Sequence, residues 1–357
     1  MDLKRLRPWI DLQGRFPFSL QPYLVIHKPV AALTTSCDFE IGSAAVSPFR
    51  TQRSGFGERQ RRVKNMIQRS QRTLNRPAEY RGFGFLTGAD VKVSFLPADE
   101  NYGICFQRVD LKGTQPIPAR LDYVIPRQRR TAISSCGATV ELIEHVMAAL
   151  AGLQIDNCLV CLDAPEPPGA DGSCLPFVQV LLEAGITEQS ARRDVLVLHS
   201  DDRTDPSGDG SEITAGPVFH RTLVVTYELD YGPRSPIKPQ LMTFEFSSER
   251  FIREIAFART FILESEVQAL KSQGYGSRVT EKDLLIFSPQ GVIGNELRAT
   301  DECARHKKLD CIGDFALLGC DVQGHFRAYR SGHNLNHAIC EKVRLNQQIK
   351  SPTSKAA

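Results

Sequence analysis

Apolar and polar side chains alternate from residue 91 to 96. Val91, Val93 and Phe95 share one face and Lys92 and Ser94 the other, the period of a half-buried strand. A second strand is expected over 103–108. The period then lengthens: Ile143, Val146, Met147 and Leu150 recur at helical spacing, with Thr139 placed to cap this helix and Gly152 to end it. The apolar run 158–162 predicts a strand, and 177–184 a second helix closed by Gly185. Further along, the pattern gives strands at 195–199, 222–229, 240–246 and 325–329, and helices at 264–273, 301–318 and 338–345. A turn-rich stretch, 201–210, falls just inside this second half. Strands and helices mix in both halves, so the class is α+β. Domains are expected at 67–194 and 195–346, with a polar tail at 347–357 and no internal sequence repeat.

Composition narrows the setting. With 357 residues, 41% hydrophobic and 24% charged, the chain has a globular balance and enough apolar material for two domains. A net charge of only +3 gives no general argument for nucleic acid or an anionic membrane surface as partner. There is no run of about 18 apolar residues to cross a membrane, and no apolar run follows the charged first residues as in a secretory signal. The ten cysteines are therefore expected to be reduced thiols in a cytoplasm. Cys158 and Cys161 have the spacing of a zinc or redox pair, but on a strand they point to opposite faces and no second pair matches them. They read as core thiols. Residues 1–66 show no period and run into a basic series, Arg53, Arg59, Arg61, Arg62, Lys64, Arg69 and Arg72. This stretch is expected to be a disordered extension, or to lie upstream of a true start at Met66; a targeting or nucleic-acid arm is the alternative.

Chemistry concentrates in four places. On the predicted helix 301–318, His306 and Asp310 are four apart and share a face, and Asp314 adds the next turn. Imidazole nitrogen and carboxylate oxygen both suit zinc, although a solvated polar stripe has the same pattern. Glu144 and His145 are neighbours on the first helix, about 100° apart, so one could hold a metal while the other works on its water. Without a second histidine on that helix this is not the pattern of an ordinary zinc protease, and His145 alone would read as a core or interface histidine. His333 follows a glycine at an expected strand-to-loop edge, a position suited to a general acid or base. Thr260, between Phe257 and Phe261, offers a hydroxyl that could polarise a carbonyl, or is simply a strand threonine.

These pieces stand in a recognisable order. Gln71-Arg72-Thr73-Leu74 and Gly82-Phe83-Gly84 come first, then residues 140–157 around Glu144-His145. Ala164-Pro165-Glu166-Pro167-Pro168, Asp171-Gly172-Ser173 and Pro176-Phe177 follow, then Ala258-Arg259-Thr260-Phe261, residues 306–314 and Ser331-Gly332-His333-Asn334-Leu335-Asn336. In this the chain resembles the UDP-3-O-acyl-N-acetylglucosamine deacetylase family, from about Gln68 to Leu345. The resemblance implies two similar α+β domains with their helices sandwiched between two sheets and a zinc site at the domain junction. It implies His145, His306 and Asp310 as Zn2+ ligands, Glu144 as general base and His333 as general acid. Asp314 would orient His333, Thr260 would stabilise the oxyanion, and Lys307 would meet the oxyanion or the substrate phosphates. Phe261, Arg330 and Gly332 would contact substrate, with Arg330 near the diphosphate. The implied reaction is zinc-dependent hydrolysis of the acetamide of an acylated UDP-amino-sugar in lipid A biosynthesis, by a cytoplasmic monomer. Departures fall at Gly274–Thr280, at 281–295 and at Glu266, where the family usually has Asp; they bear on the acyl passage. The alternatives are another zinc amidohydrolase on the same scaffold, or a binding protein that has kept the fold.

Overall fold

The computed structural model describes residues 68–346 apart from Pro206 and His220. The readings made for residues 1–66 and for the tail lie outside the described residues. Two sheets of one plan carry the fold. In chain order the first has Ala78–Phe83, Asp90–Pro97, Ile104–Arg108, Ile117–Pro118 and Cys158–Leu162. Its last strand is central, antiparallel to Asp90–Pro97 on one side and parallel to Ile104–Arg108 on the other. The second sheet has Asp202–Arg203, Glu212–Gly216, Leu223–Leu229, Gln240–Glu245 and Asp321–Tyr329. Again the last strand is central, antiparallel to Glu212–Gly216 and parallel to Leu223–Leu229. The outer pairs are antiparallel in both sheets. Val195–Val197 adds a sixth strand to the second sheet, parallel to the start of Asp321–Tyr329.

A parallel pair needs a long crossover, usually helical. In the first half helix α1 (Glu144–Gly152) leads into the central strand and α2 (Leu175–Ala184) follows it. In the second half α3 (Ser248–Glu254) and α4 (Glu264–Ser272) precede α5 (Glu302–Phe315), which leads into the central strand; α6 (His333–Asn346) follows it. Helix α2 packs on Ala78–Phe83, α5 on Leu223–Leu229 and Gln240–Glu245, and α6 on Glu212–Gly216, while α1 packs on α5. Helices α1, α2, α5 and α6 thus lie between the two sheets, as the resemblance implies, whereas α4 packs on the short strands Phe261–Leu263 and Leu285–Ser288. This position makes α5 buried at almost every residue, polar ones included. Its His306, Asp310 and Asp314 are therefore not a solvated stripe. The crossing of α1 and α5 runs through Gly313. A Cβ there would collide with the Glu144 carbonyl oxygen and stand 3.2 Å from the Ala148 backbone nitrogen.

Most elements lie where the pattern puts them, and Cys158 is buried with Cys161 half-buried on the opposite face. Three readings need correction. Thr139 does not cap α1: it sits in the strand Ala138–Val140, its hydroxyl 3.0 Å from that of Ser134. The helix starts at Glu144, after a turn through Leu142 at φ 54° that the apolar spacing does not encode. The last helix starts at His333 rather than 338, because its first turn faces a polar partner and so lacks an apolar stripe. Arg69 and Arg72 belong to the fold and not to a basic arm. Arg69 is paired with Asp156 at 2.6 Å and Asp321 at 2.8 Å, and Arg72 with Glu188 at 3.2 Å. No helix among the described residues is long and apolar enough to cross a membrane.

The close crossing predicts that Gly313→Ala forces α1 and α5 apart. Overpacking of this kind costs about 1–3 kcal/mol, to be read from chemical denaturation, and metal affinity should fall with it. Gly332→Ala, whose Cβ would meet nothing within 4 Å, is the control and should leave stability within about 0.5 kcal/mol of the parent.

Candidate active site

The α1–α5 crossing brings His145 to His306 and Asp310. One ligand atom from each lies within 4.8 Å of the other two. Asp310 Oδ1 is 3.4 Å from His306 Nε2 and 3.7 Å from His145 Nε2. Ligands about 2.0–2.1 Å from a tetrahedral metal stand about 3.3 Å apart, so the two separations from Asp310 need to close by only a few tenths of an ångström. Asp310 Oδ1 is buried and has no hydrogen-bond partner, while Oδ2 accepts from Lys307 Nζ at 2.9 Å. An unpaired buried carboxylate oxygen is costly unless a cation faces it. His306 Nδ1 lies 3.1 Å from the Ala258 carbonyl oxygen, which can only accept. That nitrogen therefore carries the proton and Nε2 presents its lone pair to Asp310 and His145. Burial, aided by His306, pushes His145 down to about 3, and burial also lowers His306. Both imidazoles are neutral, the form that binds metal. Burial opposes ionisation of the Asp310 carboxyl, but the Lys307 ammonium and the His333 imidazolium hold it below the usual carboxylate range. The donor set fits a divalent metal.

Glu144 and His333 stand beside Asp310, with His333 Nε2 4.0 Å from Asp310 Oδ2. Glu144 is the first residue of α1, launched by the Leu142 turn, which is tied down by Glu141 N–H to Pro165 O at 2.8 Å and Ile143 N–H to Thr131 O at 3.3 Å. Its Oε2 accepts from the Thr131 amide at 3.0 Å, and its Oε1 is 3.9 Å from His333 Nε2. His333 opens α6 and gives Nδ1–H to Asp314 Oδ2 at 2.8 Å. Asp314 also accepts from Thr131 Oγ1 at 2.6 Å and Asn336 Nδ2 at 2.8 Å, with His337 Nε2 at 3.4 Å. Burial, reinforced by Asp310 and Asp314 against the pull of His333, lifts Glu144 to about 7. Burial disfavours the imidazolium of His333, but Asp314, Glu144 and Asp310 outweigh it and raise it to about 9. Asp314 is held well below the usual range by His333 and His337 despite its burial. Near neutral pH one of the facing groups can accept a proton and the other donate one, the division of labour of an acid–base pair.

The remaining predicted residues lie at graded distances. Thr260 is fixed through its backbone, N–H to Gly172 O at 2.7 Å and O from Leu285 N–H at 3.0 Å, and no hydrogen bond among the described residues engages its hydroxyl. It sits between Ala258, which holds His306, and Phe261, whose ring is 6.1 Å from that of His306. Lys307 Nζ is 5.9 Å from the Phe261 ring centre, and its charge is favoured by Asp310 against burial. Arg330 stands at φ 53°, with Nη2 3.7 Å from Asp230 Oδ2 and a buried Nε that has no hydrogen-bond partner among the described residues. Gly332 leaves open space where a Cβ would be. Three contacts were invisible in the sequence: the Ala258 carbonyl, Thr131 and His337. Neither Thr131 in its arginine-rich stretch nor His337 four residues after His333 carries a local signal; Ala258 and Asn336 lay inside motifs, but no role was read for either.

Comparison with known proteins agrees with this geometry. A model of the family described as UDP-3-O-acyl N-acetylglycosamine deacetylase matches residues 71–344. The UDP-3-O-acyl-N-acetylglucosamine deacetylase of Myxococcus xanthus (strain DK1622) is 36% identical over 275 residues, covering 77% of this chain and 86% of that protein. The protein of the same name from Geobacter sp. (strain M21) is 37% identical over 274 residues, 76% of this chain and 88% of its own length. That of Pasteurella multocida (strain Pm70) is 33% identical over 284 residues, 78% and 91%. Likeness of this extent spans both sheets, both crossing helices and every residue at their junction. The chain therefore belongs to the UDP-3-O-acyl N-acetylglycosamine deacetylase family.

Proposed function

We propose that this protein hydrolyses the acetamide of UDP-3-O-acyl-N-acetylglucosamine, giving acetate and UDP-3-O-acyl-glucosamine for lipid A biosynthesis, with zinc as its metal and the cytoplasm as its compartment. The observation that carries the reading is the buried, unpartnered Oδ1 of Asp310 facing the Nε2 atoms of His145 and His306, beside an acid–base pair and in a chain whose relatives bear the deacetylase name.

His145, His306 and Asp310 would hold a zinc ion, which would supply Lewis acidity for the amide carbonyl and the attacking water. Glu144 takes the proton of that water; its raised affinity for a proton suits a base working near neutral pH. As the carbonyl carbon becomes tetrahedral, negative charge grows on its oxygen, and the unengaged hydroxyl of Thr260 donates to it. His333, charged through Asp314, delivers a proton to the amine nitrogen, the C–N bond breaks, and acetate leaves. Asp314 keeps the imidazolium oriented but stays ionised throughout. Lys307 holds the second oxygen of Asp310 and keeps that carboxylate ionised. Arg330, with an unused buried Nε, serves the substrate diphosphate; Phe261 lines the sugar side and Gly332 lets substrate approach the backbone.

Treating the protein with a strong chelator should abolish acetate release, and stoichiometric zinc should restore it; full activity in the metal-free protein would remove the metal from the reaction. Glu144→Ala should keep the metal and lose about 10²- to 10⁴-fold in kcat, checked by elemental analysis beside a turnover assay; unchanged turnover would remove Glu144 from the mechanism. His333→Ala should also lose about 10²- to 10⁴-fold with metal content intact, whereas loss of metal from that variant would make His333 a ligand and not an acid.

A further inference from the structure

We infer that Thr131 is a positioning residue that holds the base and the acid of the proposed reaction in register, its amide on Glu144 and its hydroxyl on the carboxylate that orients His333. The inference rests on the reading of Glu144 and His333 given above. Thr131 is 1% exposed and sits just before the strand Ala132–Ser135, where the chain passes the first turn of α1. Its backbone is clamped to that turn in both directions. Its N–H goes to Glu144 Oε2 at 3.0 Å, and its carbonyl accepts from Ile143 N–H at 3.3 Å. With Oε2 so engaged, Oε1 of Glu144 is the oxygen turned toward His333.

The hydroxyl has one proton to give and two lone pairs to offer. Asp314 Oδ1, at 2.6 Å, is an ionised acceptor, so the proton goes there. The lone pairs of Oγ1 then face His337 Nε2 at 3.0 Å and His333 Nδ1 at 3.2 Å. His333 Nδ1 has the shorter contact, 2.8 Å, with Asp314 Oδ2 and spends its proton on that oxygen. The Oγ1 of Thr131 is therefore left to accept from His337, which fixes His337 with its proton on Nε2. A directed chain results, from His337 Nε2–H to Thr131 Oγ1–H to Asp314 Oδ1. The other carboxylate oxygen accepts from His333 and Asn336. Both oxygens of Asp314 are thereby committed and the plane of the carboxylate is set, and with it the plane of the His333 ring. A β-branched side chain suits this task because its χ1 is stiff. One rigid residue thus spans from the proposed base to the partner of the proposed acid.

The test uses the metal-loaded full chain and two substitutions. Thr131→Val keeps the backbone and the shape but removes the hydroxyl; Thr131→Ser keeps the hydroxyl. Thr131→Val should lower kcat for acetate release about 10- to 100-fold with KM within about twofold, while Thr131→Ser restores kcat to within about threefold of the parent. Metal content and thermal unfolding are read on both. In a His333→Ala background Thr131→Val should cost less than about twofold, because the group it positions is gone. Unchanged kcat in Thr131→Val, a serine variant as slow as the valine one, or an equal loss with and without His333 would each overturn the inference. The imidazole ¹⁵N resonances of His333 and His337 give a readout free of substrate. They should shift in Thr131→Val and hold in Thr131→Ser, and resonances that hold in both would overturn the positioning role. Failure of the parent chain to release acetate would count against the proposed function instead, and the imidazole spectra would still decide the role of Thr131.

Discussion

The site depends on how closely two helix backbones approach. Helices α1 and α5 cross through Gly313, where a single added methyl would run into the carbonyl of Glu144. That contact fixes the first turn of α1 against the middle of α5, and the residues at stake lie within a turn of it: Glu144 and His145 on one helix, Asp310 and Asp314 on the other, with His306 one turn further. Helices normally pack about 8–10 Å apart, with side chains filling the gap. Here the gap is narrow enough that one imidazole reaches across it to meet another at nearly a right angle, the ring centres 5.1 Å apart.

The polar groups in the layer between the sheets are largely buried, and this governs what its charged groups do. Asp314 and Asp310 stand one turn apart on the same helix, both buried, but they are satisfied differently. Asp314 is surrounded by donors from Thr131, His333 and Asn336. Asp310 receives one lysine and leaves an oxygen bare toward two neutral imidazoles. A buried carboxylate with every acceptor filled is a structural anchor, and one with an empty acceptor beside imidazole lone pairs asks for a cation. The contrast between two otherwise similar aspartates supports the proposed roles, Asp310 as ligand and Asp314 as the group that orients His333. Burial also favours neutral Glu144 while the surrounding carboxylates favour charged His333, which leaves one group able to take up a proton and the other to give one up near neutral pH.

The two halves repeat a plan that their residues do not. Each sheet places its last strand between its second and third, with the same pattern of parallel and antiparallel neighbours. In each half one helix leads into that central strand and another follows it. Helices α1 and α5 hold equivalent places, and the site is built where these equivalents meet. Asp171-Gly172-Ser173 before α2 and Ser331-Gly332-His333 at the start of α6 are equivalent too. The first touches Thr260 through the Gly172 carbonyl, and the second supplies His333.

The amino-acid sequence by itself determined the class, most of the strands and helices, and the residue types of the site. Alternation and helical spacing record which face of an element is buried, and His306, Asp310 and Asp314 recur on one helical face whatever the chain does elsewhere. It did not determine what begins an element through backbone alone: the start of α1 turns on Leu142 at a positive φ, and the first turn of α6 is polar because it meets Asp314. The likeness of the two halves followed from the family resemblance and not from any repeat in the residue pattern, since sheet order depends on pairing between distant strands and many residue patterns satisfy it. No local pattern makes His145, 161 residues before His306, its neighbour; the family resemblance implied that meeting and the helix crossing brings it about, while tertiary structure alone decided that Thr131 and His337 join Asp314. Such contacts are set by the angle and spacing at which packed helices cross, quantities spread over the whole core and written in no local stretch of chain.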